Sequence, residues 1–162
     1  MAGNPTMKVS VILSRESVQS RWESHRWQLL GVVPDVGGEP RTLVDDGAMR
    51  QRIHPGFDLT LFNDEAEGYF LNVSSEEPSV FVSIRQDDGG EEPYPFQCTA
   101  SYNEAARWMD GSEKVERARA WPELVAWIQA WVEVHYRPEP RRRQRPQSFA
   151  GKEGMLREEG EQ

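Results

Sequence analysis

The chain has 162 residues, of which 37% are hydrophobic, and its formal net charge is −8. This length and composition predict one globular domain, and no apolar run approaches the roughly 20 residues that cross a bilayer as a helix. The part from Arg137 onward holds 7 of the 19 basic and 5 of the 27 acidic side chains. The rest of the chain therefore carries 12 basic and 22 acidic side chains, a net charge of −10. Because such a body repels phosphate backbones, no nucleic-acid binding by the domain is expected.

The single cysteine cannot form an internal disulfide, and residues 1–6 lack the cationic and apolar order of a secretory signal. We therefore expect a cytoplasmic protein with no membrane span. Composition divides the chain into a short leader (1–6), a single α+β domain (7–136) and a tail (137–162). The tail is rich in Pro, Arg and Glu and poor in apolar residues, which predicts disorder.

The first half of the domain contains strand patterns with an unclear segment between them. Val9, Val11 and Leu13 alternate with more polar residues, which predicts a strand with one apolar face. A second strand is predicted over residues 27–33, and its apolar residues on both faces indicate a central position in a sheet. Residues 41–56 are the least legible part, with a short strand at Leu43 and Val44 and turns at 45–47 and 54–56.

The middle of the chain predicts a meander. Residues 57–63 and 69–74 are both strand-like, and the five residues between them contain Gly, which indicates a hairpin. A third strand follows at 79–85, and a fourth at 96–100 contains Cys98.

Two helices complete the domain. Ser101 and Glu104 have the spacing of a capping box, and this first helix is predicted to end near Gly111 in a left-handed conformation. The second begins at Pro122 and carries a broad apolar stripe of period 3.6, which includes two of the three tryptophans of this segment: Trp127 and Trp131, but not Trp121. The predicted fold is therefore α+β, an antiparallel rolled sheet or partial barrel of about six strands. The last helix either plugs an open end of the sheet or lies across one face.

No motif predicts a catalytic, cofactor-binding or metal-binding residue. His25, His54 and His135 lack the close spacing of metal ligands, and His135 is placed to cap the end of the last helix. Cys98 lies within a predicted strand and is interpreted as a small buried core residue. The acidic groups at the turns do not follow a calcium-loop pattern, and the paired glycines precede no helix.

Two segments are candidates for contacts with a protein partner. One is the stretch 22–27, in which two tryptophans flank a charged link; it is interpreted either as core and lid or as an exposed aromatic anchor. The other is the arginine run of the tail, interpreted either as a solvated tail or as a peptide that docks onto an acidic surface. The predicted protein-binding residues are Trp22, His25, Arg26, Trp27, Arg141, Arg142 and Arg143.

The order of motifs resembles a small proteobacterial family, domain-of-unknown-function family 3305. The resemblance rests on R-W-x-L-x-G-V-x-P at 26–34, on E-x-E-G-Y-x-L-N-x-S from residue 65 with P-S-V-F-V to residue 82, on T-A-S-Y-N-E-A at 99–105 and on P-E-L-V-A-W at 122–127. It spans about residues 7–145 and is weakest at 35–56 and in the acidic end of the tail. The family brings no assigned reaction and no catalytic residues. Its members are typically encoded beside genes for molybdenum-dependent formate dehydrogenases and their maturation factors, which implies an accessory, assembly or small-subunit role.

These observations lead to one leading hypothesis and two alternatives. The leading one is a non-enzymatic accessory protein without a cofactor, which binds a molybdenum-dependent oxidoreductase or its maturation factor. The first alternative is a small-molecule-binding module, in which the rolled sheet encloses an apolar or pterin-like molecule. The second is a hydrolase that uses scattered carboxylates and His54.

Overall fold

The computed structural model describes residues 3–18, 25–89 and 92–138. Seven strands and three α-helices form within them, and a single 3-10 turn (Asn63–Glu65) precedes the first helix. In chain order the elements are β1 (Thr6–Ser17), β2 (His25–Pro34), β3 (Arg41–Asp45), β4 (Met49–Thr60), α1 (Ala66–Val73), β5 (Ser79–Arg85), β6 (Tyr94–Thr99), α2 (Tyr102–Asp110), β7 (Lys114–Arg119) and α3 (Pro122–His135). The predicted α+β class with antiparallel pairing is confirmed.

The strands form two antiparallel sheets. The first has the order β2-β1-β4-β3 and the second the order β6-β5-β7. Each sheet has a central strand with apolar residues on its inner face: Val9, Val11 and Leu13 in β1, and Val80 and Val82 in β5. These residues belong to one buried cluster, so the core lies between the two sheets.

The sheets approach each other at their edges. The Leu29 amide of β2 donates a hydrogen bond to Glu116 Oε1 of β7, at 2.8 Å. At the other side, the Cys98 thiol of β6 lies 3.8 Å from the carbonyl oxygen of Asp58 in β4. The strands thus surround the core as a flattened barrel that is not closed by a continuous hydrogen-bond ladder.

Helices α1 and α3 close one end of this barrel. Helix α1 follows β4 and precedes β5, so it lies at the side of the barrel where β4 ends and β5 begins. β7 ends on the same side, and α3 follows it. Tyr69 of α1 meets Trp131 of α3 edge-on, with ring centroids 5.4 Å apart, and both side chains belong to the core cluster. Trp121 and Trp127 are half-buried and pack against the same cluster. Of the two placements expected for the last helix, the plug is the one observed.

The segment 69–74, which was expected to be a strand, is helical. Its buried residues are Gly68 and the three residues Ala66, Tyr69 and Asn72, which are spaced by three, whereas Phe70 and Leu71 are exposed. The buried face of this helix contains a polar Asn, and its exposed face contains two large apolar residues. The apolar residues of the sequence therefore do not follow the helical period of 3.6, and their pattern indicates a strand instead. The predicted hairpin at 57–74 is therefore wrong.

Two further expectations are wrong, and one strand was not predicted. β2 is an edge strand of its sheet, because its second side faces β7 through side-chain contact instead of a ladder. Residues 54–56 form no chain-reversing turn; they lie inside β4 at an irregularity opposite β1, where Gly56 has φ +85°. The sequence patterns also contain no prediction for β7, whose residues Lys114–Arg119 are mostly charged.

The helix boundaries agree with the capping signals in most respects. The Ser101 hydroxyl accepts a hydrogen bond from the Glu104 amide at 3.0 Å. The return contact expected of Glu104 is instead relayed, because its carboxylate accepts from the Thr99 hydroxyl, which itself accepts from the Ser101 amide. Gly111 has φ −87° and is not left-handed; Ser112, with φ 73°, takes that conformation. α3 begins at Pro122 and ends before Pro138, as predicted.

Candidate binding site at the open end of the barrel

Three arginines face the interior at the barrel end opposite α1 and α3. Arg15 of β1 lies directly across from Arg50 of β4, and Leu13 lies directly across from Arg52. Residues that pair directly in an antiparallel ladder project from the same face, as do residues two apart on one strand. Because Leu13 belongs to the core, Arg15, Arg50 and Arg52 all lie on the inner face, and we refer to them as the arginine cluster.

Carboxylates balance this cluster only in part. Glu92 forms ion pairs with Arg50 and with Arg52, the latter at 3.6 Å between Nε and Oε1. Glu116, on the inner face of β7, accepts the hydrogen bond from Leu29 and lies 3.5 Å from Lys114 Nζ. The strand registers place the basic Arg15, Arg50, Arg52 and Lys114 and the acidic Asp45 and Glu116 on the inner faces at this end, and Glu92 joins them through its ion pairs with Arg50 and Arg52. Four positive charges against three negative ones leave an excess of +1 within a protein of net charge −8.

Two guanidinium nitrogens of the cluster are buried without a hydrogen-bond acceptor. These are Arg15 Nε and Arg50 Nε, neither of which finds a partner among the described residues. Arg52, in contrast, donates to the Thr42 hydroxyl at 2.8 Å. The Arg15 guanidinium carbon lies 6.0 Å from the ring centroid of Trp27, its direct partner on β2.

A cleft of about 600 Å³ opens beside the cluster, between β2 and the second sheet. Trp27 forms part of its wall, and Pro93, the neighbour of Glu92, forms another part. The mouth is lined mainly by charged and polar side chains, including His25, Arg26, Arg85, Lys114 and Glu116. The three arginines do not line this cleft, which adjoins the cluster at Trp27, the ladder partner of Arg15.

The structure brings three of the predicted protein-binding residues together at this cleft. His25 and Arg26 are exposed, and Trp27 is half-buried against the core, so the stretch combines an anchored aromatic ring with an exposed basic edge. Trp22 and the tail residues Arg141, Arg142 and Arg143 lie outside the described residues.

His54 lies near the cluster and is partly buried. Burial, followed by the adjacent guanidinium of Arg52, lowers the pKa of His54 below its usual value of 6.5, and Glu92 opposes this effect. His135 bonds through Nδ1 to the Trp131 carbonyl oxygen at 2.9 Å and stacks on its indole ring, which explains its place at the end of α3.

Cys98 lies at the seam between β4 and β6, beside a second groove of about 300 Å³. Burial raises the pKa of Cys98 to about 12, and the carboxylates of Asp58 and Glu104 act in the same direction. A thiol with so high a pKa is a poor nucleophile at neutral pH. Cys98 was expected to be a small buried core residue; it is partly buried and packs against the core cluster.

Neither a metal centre nor a membrane-spanning helix is found in the part of the chain that the structure describes. No three His, Cys, Asp or Glu side chains within the ranges 3–18, 25–89 and 92–138 converge to hold an ion. The helices of the same ranges are all too short or too polar to cross a membrane.

The arginine cluster was not predicted from the sequence. A signal for it exists: Arg15 continues the alternation of Val9, Val11 and Leu13, and Arg50, Arg52 and His54 alternate at period two. The second group lies in the segment that the patterns left unclear, and only the register of β1 against β4 places the two groups side by side.

The model of the family described as "Protein of unknown function (DUF3305)" matches residues 8–145, and the chain belongs to this family. No curated protein and no solved structure matches the chain.

Proposed function

We propose that this protein is a non-enzymatic accessory module that docks onto an acidic surface of a larger protein through the open end of its barrel. The observation that carries the proposal is the grouping of His25, Arg26 and Trp27 at the mouth of the cleft. Trp and Arg are enriched among residues that dominate binding energy at protein interfaces. A half-buried Trp that is already held against the core loses little conformational freedom when a partner covers it.

The charge distribution favours an acidic partner segment. The domain as a whole is acidic, so a basic mouth orients an approaching acidic surface toward one end of the barrel. The tail arginines Arg141, Arg142 and Arg143 add a second basic contact in this proposal. The partner class, a molybdenum-dependent oxidoreductase or its maturation factor in the cytoplasm, rests on the family resemblance alone.

Affinity purification from the native host, followed by binding of the purified partner, tests the proposal. We expect Arg26→Glu combined with Trp27→Ala to abolish capture, and deletion of the tail beyond Pro138 to weaken it. Arg119→Glu is the matched control, since Arg119 is an exposed arginine at the other end of β7. Equal capture by the wild type, the control and the double variant would exclude the open end as the docking surface.

A small-molecule-binding module is the second candidate function. The cleft of about 600 Å³ supports it, because ligand pockets commonly enclose about 300–1,000 Å³. Native mass spectrometry of the protein purified from its host tests for a bound molecule. A mass equal to that of the polypeptide, under conditions that preserve non-covalent complexes, would count against this candidate.

A further inference from the structure

The arginine cluster is an unfavourable arrangement for a structure with no ligand. Like charges directly opposite each other on antiparallel strands are destabilising, and Arg15 and Arg50 occupy such a pair. An inward-facing position increases the effect, because water screens the repulsion less there. The side chains of Arg50 and Arg52 are only 26% and 24% exposed.

The carboxylates nearby already have partners, and none of these partners is Arg15. Glu92 is shared between Arg50 and Arg52, and Glu116 is held by the Leu29 amide and by Lys114. Asp45 pairs with Arg50 in the ladder, but its carboxylate accepts a hydrogen bond from Gly47 at the following turn. Arg15 therefore has a charge that no carboxylate of the described residues neutralises by an ion pair.

The unpartnered nitrogens specify the kind of group that would complete the site. Arg15 Nε and Arg50 Nε are buried donors without acceptors, and leaving such a donor unpaired is costly. Planar guanidinium groups match the geometry of oxyanions, to which they donate two parallel hydrogen bonds. A group that presents several acceptor oxygens between these two side chains satisfies both nitrogens and reduces the repulsion.

We propose that Arg15 and Arg50 bind the phosphate or carboxylate group of a small anionic molecule that enters through the cleft beside Trp27. Glu92 pairs with both Arg50 and Arg52, but Arg52 also donates to the Thr42 hydroxyl and has no buried nitrogen without an acceptor among the described residues. Arg52 therefore adds positive charge to the site, whereas Arg15 and Arg50 supply the direct contacts. The cleft volume is that of a site for a small molecule, and α1 and α3 close the opposite end of the barrel. This proposal makes no use of a protein partner and concerns the purified protein alone.

Isothermal titration calorimetry with three anions at low ionic strength tests it. Inorganic phosphate and pyrophosphate represent phosphate ligands, and citrate represents carboxylate ligands. We expect the wild type to bind at least one of these anions saturably. The anion that binds most tightly shows whether the site prefers a phosphate or a carboxylate group. Binding weakens as salt is added, because the contacts are ionic.

Substitutions distinguish a binding site from a structural ion network. We expect Arg15→Gln and Arg50→Gln each to weaken binding by roughly 10- to 100-fold, the range of a lost charge-assisted contact. Arg15→Lys keeps the charge but loses the planar fork, and its affinity is expected to lie between those of Arg15→Gln and the wild type. Arg41→Gln is the control, since Arg41 is exposed and donates to its own loop.

Thermal unfolding without ligand provides a second readout. We expect Arg15→Gln to be at least as stable as the wild type, because the change removes a repulsive pair. Binding that is equal in Arg15→Gln and Arg41→Gln would overturn the proposal, as would the absence of binding to all three anions. A large loss of stability in Arg15→Gln would also overturn it, because that result assigns Arg15 to the structure of the barrel.

Discussion

The side chain of Asn72 pairs with the backbone of Ser79 as a neighbouring strand would. Its Oδ1 accepts from the Ser79 amide at 2.9 Å, and its Nδ2 donates to the Ser79 carbonyl oxygen at 2.7 Å. The same Nδ2 donates to the Ala100 carbonyl oxygen at 2.8 Å. Asn72 is 1% exposed, so one buried amide connects α1 to the start of β5 and to the end of β6.

Removing this amide is expected to be one of the most damaging single changes in the protein. Asn72→Ala leaves three buried backbone groups without their partner, which predicts a loss of about 3 kcal/mol or more in the free energy of unfolding. Denaturation in urea measures it. Asn63→Ala, at an exposed position of the 3-10 turn, serves as the control and is expected to change stability by less than about 0.5 kcal/mol. Similar midpoints for the two variants would contradict the role of Asn72.

Gly68 allows α1 to approach the start of α2. A Cβ atom at this position would lie 2.0 Å from Ser101 Oγ and 3.2 Å from the Asn103 amide nitrogen. Gly68→Ala is therefore expected to destabilise the protein by about 1–3 kcal/mol, although Ala favours a helix by about 1 kcal/mol over Gly. Thermal unfolding measures the difference. At Gly31 nothing lies within 4 Å of an added Cβ, so Gly31→Ala is the matched control; an unchanged melting temperature in Gly68→Ala would show that the helices separate easily.

His54 gives stability a dependence on pH. Its pKa in the folded protein is lowered by burial and by Arg52, so the unfolded chain binds a proton at His54 more readily than the folded one does. At pH values well above 6.5, His54 is uncharged in both states and its ionisation does not change the free energy of unfolding. As the pH falls through 6.5 toward the lower pKa of the folded state, protonation of His54 in the unfolded chain reduces stability. We expect His54→Gln to lose less stability than the wild type between about pH 7.5 and about pH 5, as measured by urea midpoints. Parallel pH profiles in the two proteins would rule out His54 as the source.

The thiol of Cys98 is expected to be unreactive in the folded protein. Burial raises its pKa from 9.0 to about 12, and the thiolate is the reactive form. At pH 8, labelling with a thiol reagent is therefore expected to be slower by roughly 100-fold or more than in the protein unfolded in guanidinium. The rate of absorbance change on labelling measures this ratio. Equal rates in both states would mean that the seam between β4 and β6 admits the reagent freely.

Local signals in the sequence account for much of the fold. The alternation in β1 and β5 predicts strands because side chains on a strand point to opposite faces in turn. Ser101 and Pro122 mark the starts of α2 and α3. The first backbone amides of a helix have no acceptor within the helix. The Ser101 hydroxyl accepts from one of them, and Pro122 has no amide hydrogen that would need an acceptor. These features depend on residues within a few positions of each other, and no tertiary contact was needed to predict them.

The candidate site was predictable only in part, because some of its residues are far apart in the sequence. The stretch His25–Trp27 was identified by its composition, and the structure places it at the mouth of the cleft. Arg15 and Arg50 are 35 positions apart in the sequence, and nothing local to either residue shows that they face each other. Their pairing depends on the register of β1 with β4, which includes an irregularity between Val9 and Val11.

The sequence by itself determined the α+β class, the identity of the helices α2 and α3, and the strands whose apolar faces repeat at period two. Only the tertiary structure decided that α1 is a helix, because its one buried polar side chain, Asn72, finds its partners in β5 and β6. The tertiary structure also decided that the arginines gather at the open end of the barrel. Hydrophobic periodicity records which face of an element is buried, whereas hydrogen-bond partners and strand register are set by residues far away in the chain.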